Sequence, residues 1–160
     1  MQRNIFLTAL AGLALVAAAP TKSKAPATVT VRWAAPVSIA PGKTVPANLL
    51  VTVAPGYHIQ GNPTSEEFMI ATELKLDGKQ GVALTNVGYP RGKKFTLPGG
   101  DKPILALDGE LALRCTLQAA SGAKPGTATL KGELSFQACD NKICLPPDSV
   151  PVTLEVRVKR

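Results

Sequence analysis

Helical patterning is missing from this 160-residue chain. No stretch repeats apolar residues at the spacing of a long amphipathic helix, and no βαβ rhythm or repeat period runs through it, which excludes bundles, solenoids and parallel α/β folds. Aromatic residues make up 4% of the sequence. The formal charge of +7 is spread along the chain rather than gathered with those aromatics, so nucleic-acid binding is not expected. The densest cations are Lys22/Lys24, Arg91/Lys93/Lys94 and Arg157/Lys159/Arg160. They read as solvated loops and tails, with an acidic partner or anionic lipid as the sharper alternative. No nucleophile elbow, phosphate loop or HExxH is present, which leaves hydrolase and nucleotide chemistry without support.

What is there begins with an export signal. Arg3 supplies a short positive region, and Ile5 to Val16 form an apolar run broken only by Thr8 and Gly12. Ala17, Ala18 and Ala19 then offer a cleavage site. Pro20 disfavours cutting directly before it, which points to cleavage after Ala18. The run is short for a transmembrane helix, and no second apolar stretch approaches about 18 residues. Neither a lipid-accepting cysteine nor a twin-arginine pair accompanies the signal. The expected organisation is a signal peptide over 1–18, a flexible leader over 19–27 and one domain over 28–160. The expected location is a bacterial periplasm, with no stable membrane insertion. That compartment permits disulfides.

Within the domain, period-2 alternation dominates. Val29, Val31 and Trp33 alternate with polar residues, as do Leu49, Val51 and Val53, and Leu74 and Leu76. Leu111, Leu113, Cys115 and Leu117 share one face, Leu130, Leu134 and Phe136 another, and Val150, Val152, Leu154, Val156 and Val158 a third. Such runs are half-buried strands. Turn signals separate them, among them Pro41-Gly42, Pro55-Gly56, Asp77-Gly78, Asp108-Gly109 and Pro125-Gly126. Seven or more short strands of this kind predict an antiparallel β-sandwich. Pro151 marks an edge strand, or a strand starting just after Pro146-Pro147. At most, Thr64 to Met69 turns once, since Thr64 and Glu67 have capping-box spacing.

The richest segment is Phe136-Gln137-Ala138-Cys139-Asp140-Asn141-Lys142-Ile143-Cys144-Leu145-Pro146-Pro147. If residues 140–143 close a four-residue hairpin loop, Cys139 and Cys144 oppose one another with Cβ atoms about 4.5–5.5 Å apart. A relaxed disulfide needs about 3.8 Å, so a bridge there forms under strain and reduces readily. So short a loop supplies only about 2 kcal/mol of stability on the chain-entropy estimate. Spacing alone leaves a structural staple open beside redox exchange. Asp140 opposes a thiolate at Cys139 and Lys142 favours one in the loop, which mildly supports Cys144 as the exposed attacker. Cys115, between Leu113 and Leu117, reads as a buried, inert thiol, with pairing to another cysteine as the alternative. His58 is the only histidine. It reads as a strand-end or surface residue, with proton transfer at the thiols or metal ligation as the alternatives. Cys139, Cys144 and His58 lack a fourth clear ligand for a closed zinc site. Copper(I) tolerates two thiolates, but two methionines, one the initiator, make a poor thioether site. Trp33 is in phase with Val29 and Val31 and reads as core.

The segment from Phe136 to Pro147 resembles the signature of the DsbD N-terminal (alpha) domain family. Pro55-Gly56-Tyr57-His58-Ile59 with Gly61-Asn62-Pro63 is similar to that family's early strand and loop, and Val87-Gly88-Tyr89-Pro90-Arg91-Gly92-Lys93 to its Tyr-Pro stretch. Asp108-Gly109-Glu110-Leu111 and Lys124-Pro125-Gly126 follow in the expected order. The resemblance implies an immunoglobulin-like sandwich carrying a redox cysteine pair on a hairpin. It further implies a protein-disulfide reductase type of thiol–disulfide interchange, with no cofactor and no metal. Cys144 would form the mixed disulfide and Cys139 would resolve it. A cap loop, by position Tyr89 to Lys102, would shield the pair with Phe95 or Leu97 as its apolar lid. His58 and Phe95 are thus the candidate assisting residues. The implied partners are a membrane-embedded thiol electron donor and periplasmic thioredoxin-fold proteins, with the chain itself a monomer. Full-length DsbD also has membrane-spanning and thioredoxin-like portions that this sequence does not show, so the expected donor is a separate protein. The rival readings are a binding or assembly module whose bridge is structural, and a copper-handling protein.

Overall fold

The structure is a computed structural model in which residues 27–96 and 102–160 are described. The expected signal peptide and nearly all of the leader lie outside those residues. Six strands come first: β1 (Val29–Trp33), β2 (Val37–Ile39), β3 (Thr44–Val53), β4 (His58–Gln60), β5 (Glu73–Leu76) and β6 (Val82–Gly88). Six more follow: β7 (Lys93–Thr96), β8 (Pro103–Leu107), β9 (Glu110–Ala119), β10 (Gly126–Phe136), β11 (Ala138–Cys139) and β12 (Asp148–Val158). There is no helix among the described residues, and the fold is the expected all-β, immunoglobulin-like sandwich.

Two four-stranded sheets make the sandwich, ordered β1-β3-β9-β6 and β2-β12-β10-β5. Because successive strand residues point to opposite faces, each alternating run delivers one apolar row to the interior. Leu49, Val51 and Val53 of β3 and Leu113, Cys115 and Leu117 of β9 are buried from one side. Ala128, Leu130 and Leu134 of β10 and Val152, Leu154 and Val156 of β12 meet them from the other, in a single cluster. Trp33 is half-buried against that cluster, and its Nε1 donates to the Thr153 carbonyl at 3.0 Å, tying β1 to the facing sheet. At Gly132 the β5 backbone passes so close that a Cβ would collide with the Lys75 carbonyl oxygen.

The structure departs from the sequence expectations in several places. One ladder is parallel: β12 pairs with β2 over Val156–Val158, although every other pair in the sandwich is antiparallel. Pro151 nevertheless lies where an edge strand would place it. Upstream of Val156 only β10 flanks β12, and the strand does start just past Pro146-Pro147. Thr64 to Met69 closes a single turn through Met69 N–H to the Glu66 carbonyl at 3.1 Å. No capping box forms, because the Thr64 hydroxyl donates to the Glu66 carbonyl at 3.0 Å.

Alternation in the sequence did not disclose a third sheet, ordered β11-β4-β8-β7. Its strands continue from those of the sandwich at one end. β3 turns into β4 through Ala54–Tyr57, with Gly56 at φ 84°, and β8 turns into β9 through Asp108-Gly109, with Gly109 at φ 65°. After one residue, Gln137, β10 becomes β11. All three junctions lie away from the turn at Lys124-Pro125-Gly126, which joins the opposite ends of β9 and β10.

Candidate functional site

The cysteine hairpin grows from the edge of this third sheet. Asp140 N–H donates to the Ile143 carbonyl at 2.9 Å, and Leu145 N–H to the Ala138 carbonyl at 2.8 Å. Those bonds flank Cys139 and Cys144 and make them a non-hydrogen-bonded antiparallel pair, the position at which opposed residues approach most closely. Their Cα atoms are 3.9 Å apart, and the two are joined as a disulfide. The Asp140 side chain turns into the loop, where Oδ1 accepts from Lys142 N–H at 2.6 Å and Ile143 N–H at 2.8 Å. These two backbone bonds hold its carboxyl below the usual range, so its first task is shaping the turn. Gln137 Nε2 adds a bond to the Leu145 carbonyl at 3.2 Å, closing the base of the hairpin.

The two sulfurs of the bridge have opposite surroundings. Cys144 is exposed beside Ile143, itself 61% exposed, whereas Cys139 is 0% exposed. Cys139 lies opposite His58 in the ladder between β11 and β4. Opposed residues share a face, as do residues two apart on one strand, so Cys139, His58 and Gln60 all point the same way. Ile59, between them, points into the core. The expectation of a surface histidine is therefore corrected: His58 is 4% exposed, at the start of β4. Burial pushes its imidazole below the ordinary 6.5, against the pull of Asp108 and Asp140.

Phe95 reaches this face from β7. Its ring centroid lies 4.2 Å from that of His58. The stretch expected to act as a cap, Tyr89 to Lys102, thus contains a strand paired to β8 rather than a free loop up to Thr96. Leu97 lies outside the described residues. At the entry to β7, a Cβ on Gly92 would sit 2.8 Å from the Ala106 nitrogen, so this close approach requires glycine. Nearby, Lys93 Nζ pairs with Asp108 at 2.6 Å. Tyr89, earlier in the same stretch, accepts from Leu74 N–H at 2.9 Å and so anchors to β5.

Gln60 has no counterpart among the residues singled out in the sequence. It is 1% exposed, and its Nε2 lies 3.5 Å from Cys139 Sγ. Its backbone carbonyl accepts the hydroxyl of buried Thr72 at 2.6 Å. The available signal was phase, since Gln60 is two residues from His58. Cys115 is buried and unpaired in β9, and burial pushes its thiol up to about 11. It stands in the sandwich core, apart from the pair. Among the described residues, no three His, Cys, Asp or Glu side chains are placed to hold a metal ion. Behind the hairpin, a groove of about 500 Å³ is lined by residues including Val29, Phe136, Leu145, Pro147 and Val150.

No curated protein matches the chain. Among solved structures, the N-terminal periplasmic domain of ScsB from Proteus mirabilis superposes with a TM-score of 0.56 at 19% identity. The match covers 79% of this chain and 46% of that one, so the present chain spans less than half the length of that relative. At such low identity what is shared is the sandwich itself. Residues 25–155, which include both strands of the cysteine hairpin, match the family described as the N-terminal region of the thiol:disulfide interchange protein DsbD, and the chain belongs to that family.

Proposed function

We propose that this domain passes reducing equivalents to partner disulfides through Cys139 and Cys144. The observation that carries the reading is the asymmetry of the bridge: one sulfur open to a partner, the other enclosed against His58 and Gln60. In the reduced form, the Cys144 thiolate attacks one sulfur of a partner disulfide. That bond breaks, and the partner's second sulfur leaves with the electron pair. Cys139 then loses its proton and attacks Cys144 Sγ. The mixed disulfide breaks, and the partner departs as a dithiol, having gained two electrons and two protons. Exposed Ile143 gives the approaching partner an apolar contact beside the reacting sulfur. Phe95, packed near His58, screens the enclosed side, and His58, opposite Cys139 in the ladder, relays the Cys139 proton.

Membership of the family supports this chemistry. The setting proposed is a periplasm reached through the signal peptide read at 1–18, in keeping with the periplasmic domain of similar fold. The partners proposed are those that the family resemblance implies: a membrane-embedded dithiol as donor and thioredoxin-fold proteins as acceptors. The test is the reduction potential of the pair, by equilibration with dithiothreitol or glutathione and thiol trapping. Between about −180 and −270 mV, the range of exchange proteins, the proposal stands; below about −300 mV the bridge is structural.

A further inference from the structure

Two buried polar atoms beside the bridge have no partner among the described residues: His58 Nε2 and Gln60 Oε1. Orphans of this kind are costly and rare in a settled interior. Both belong to residues on the face of β4 that Cys139 shares, and the second amide atom of Gln60 already points at Cys139 Sγ. A disulfide sulfur carries neither charge nor proton and is a poor match for such surroundings. A cysteine sulfur that has just left the bridge has one or the other.

We propose that Gln60 is a catalytic residue that stabilises Cys139 as the departing sulfur when the bridge opens. This rests on the exchange reading above. A thiolate attacks Cys144 Sγ and bonds to it. The Cys139–Cys144 bond breaks, its electron pair settles on Cys139 Sγ, and Gln60 Nε2–H donates to the new thiolate. After Cys139 takes up a proton, its S–H donates to Gln60 Oε1 or His58 Nε2, the two atoms that have no partner among the described residues in the disulfide form. A primary amide serves both states because it offers donors on nitrogen and an acceptor on oxygen. The Thr72 hydroxyl, fixed on the Gln60 carbonyl, keeps that stretch of β4 in register during the change. In thiol–disulfide exchange a lower leaving-group pKa speeds departure, and a hydrogen bond that is stronger to the thiolate than to the disulfide sulfur lowers it.

The experiment follows the opening of the bridge in the full protein by a large excess of dithiothreitol, with acid quench and thiol trapping. Gln60→Leu removes the donor together with the orphan acceptor. It should melt at or above the wild-type temperature yet open about tenfold more slowly, one hydrogen bond to a charged acceptor at the weak end of its range. Gln60→Glu keeps the shape but sets a carboxylate against the developing charge, and it should be slower again. A rate for Gln60→Leu within about twofold of wild type, less than such a bond supplies, overturns the proposal. Should Gln60→Leu fail to fold, Gln60→Glu decides alone: slower opening supports the role, and an unchanged rate overturns it. A failed potential measurement condemns the exchange reading, whereas an unchanged opening rate condemns only Gln60.

Discussion

Reduction of the bridge should leave the fold standing. The bridge joins residues five apart, so the segment it closes is very short. On the chain-entropy estimate, a loop of that length withholds about 2 kcal/mol from the unfolded state. The hairpin also has other supports. Two backbone hydrogen bonds flank the pair, two more run from backbone N–H groups to Asp140 Oδ1, and Gln137 closes the base. Cys139 is enclosed beside Gln60, and reduction removes neither neighbour's anchorage in β4 and β11. The sandwich core lies elsewhere: truncating a fully buried residue such as Leu117 to alanine costs about 2–5 kcal/mol, at least as much as the whole bridge. For a domain of this size, a loss of about 2 kcal/mol lowers the melting temperature by roughly 6–8 °C. The assay is thermal and urea unfolding of the wild type with and without dithiothreitol, and of the Cys139→Ser/Cys144→Ser double variant. One cooperative transition should survive in all three. A loss above about 4 kcal/mol, beyond what so short a loop supplies, or the disappearance of cooperativity, would mean that the hairpin is a staple and that exchange is the wrong reading.

Two further outcomes follow. Phe95→Ala should lower stability by about 2 kcal/mol, less than a fully buried phenylalanine would lose, while speeding reaction of the pair with glutathione; an unchanged rate would deny Phe95 any screening role. His58, held neutral by burial, makes stability depend on pH. Its folded pKa lies below the ordinary 6.5, so stability is full above that value and falls as pH drops beneath it, where the unfolded chain takes the proton more readily. Urea unfolding at pH 7.5 and at pH 5.5 should show a loss that shrinks in His58→Asn, and equal losses in both proteins would contradict the assignment.

The sandwich was legible because its strands are long and one-sided. β3, β9, β10 and β12 run for ten or eleven residues, and their apolar rows alternate cleanly. The cysteine hairpin was legible because both partners and their turn fall within six consecutive residues. The rest of the site had no such local record. β4 is three residues long and buried at every position, so it shows no alternation. β7 has four residues and β11 two. Phe95 and His58 meet only because β8 lies between their strands in the third sheet, a pairing that no short window of sequence contains. Gln60 was hidden by its own chemistry, since glutamine is ordinarily exposed and a fully buried one is an exception. The parallel contact of β2 with β12 joins strands from opposite ends of the domain, and local spacing says nothing about it.

The separation of site from core has a physical reason. A thiol–disulfide pair changes its charge and proton count at every turnover, and a close-packed apolar interior tolerates neither change. Here the sandwich keeps an almost wholly apolar cluster, in which even Cys115 is held as an un-ionised thiol. Cys139 stands one layer out, on a small sheet rooted in the sandwich through β3, β9 and β10 but faced with His58 and Gln60. Those roots fix Cys139 against its polar neighbours. The hairpin then carries Cys144 to the surface, so that one bridge spans from the dry side of the sheet to the face a partner can reach.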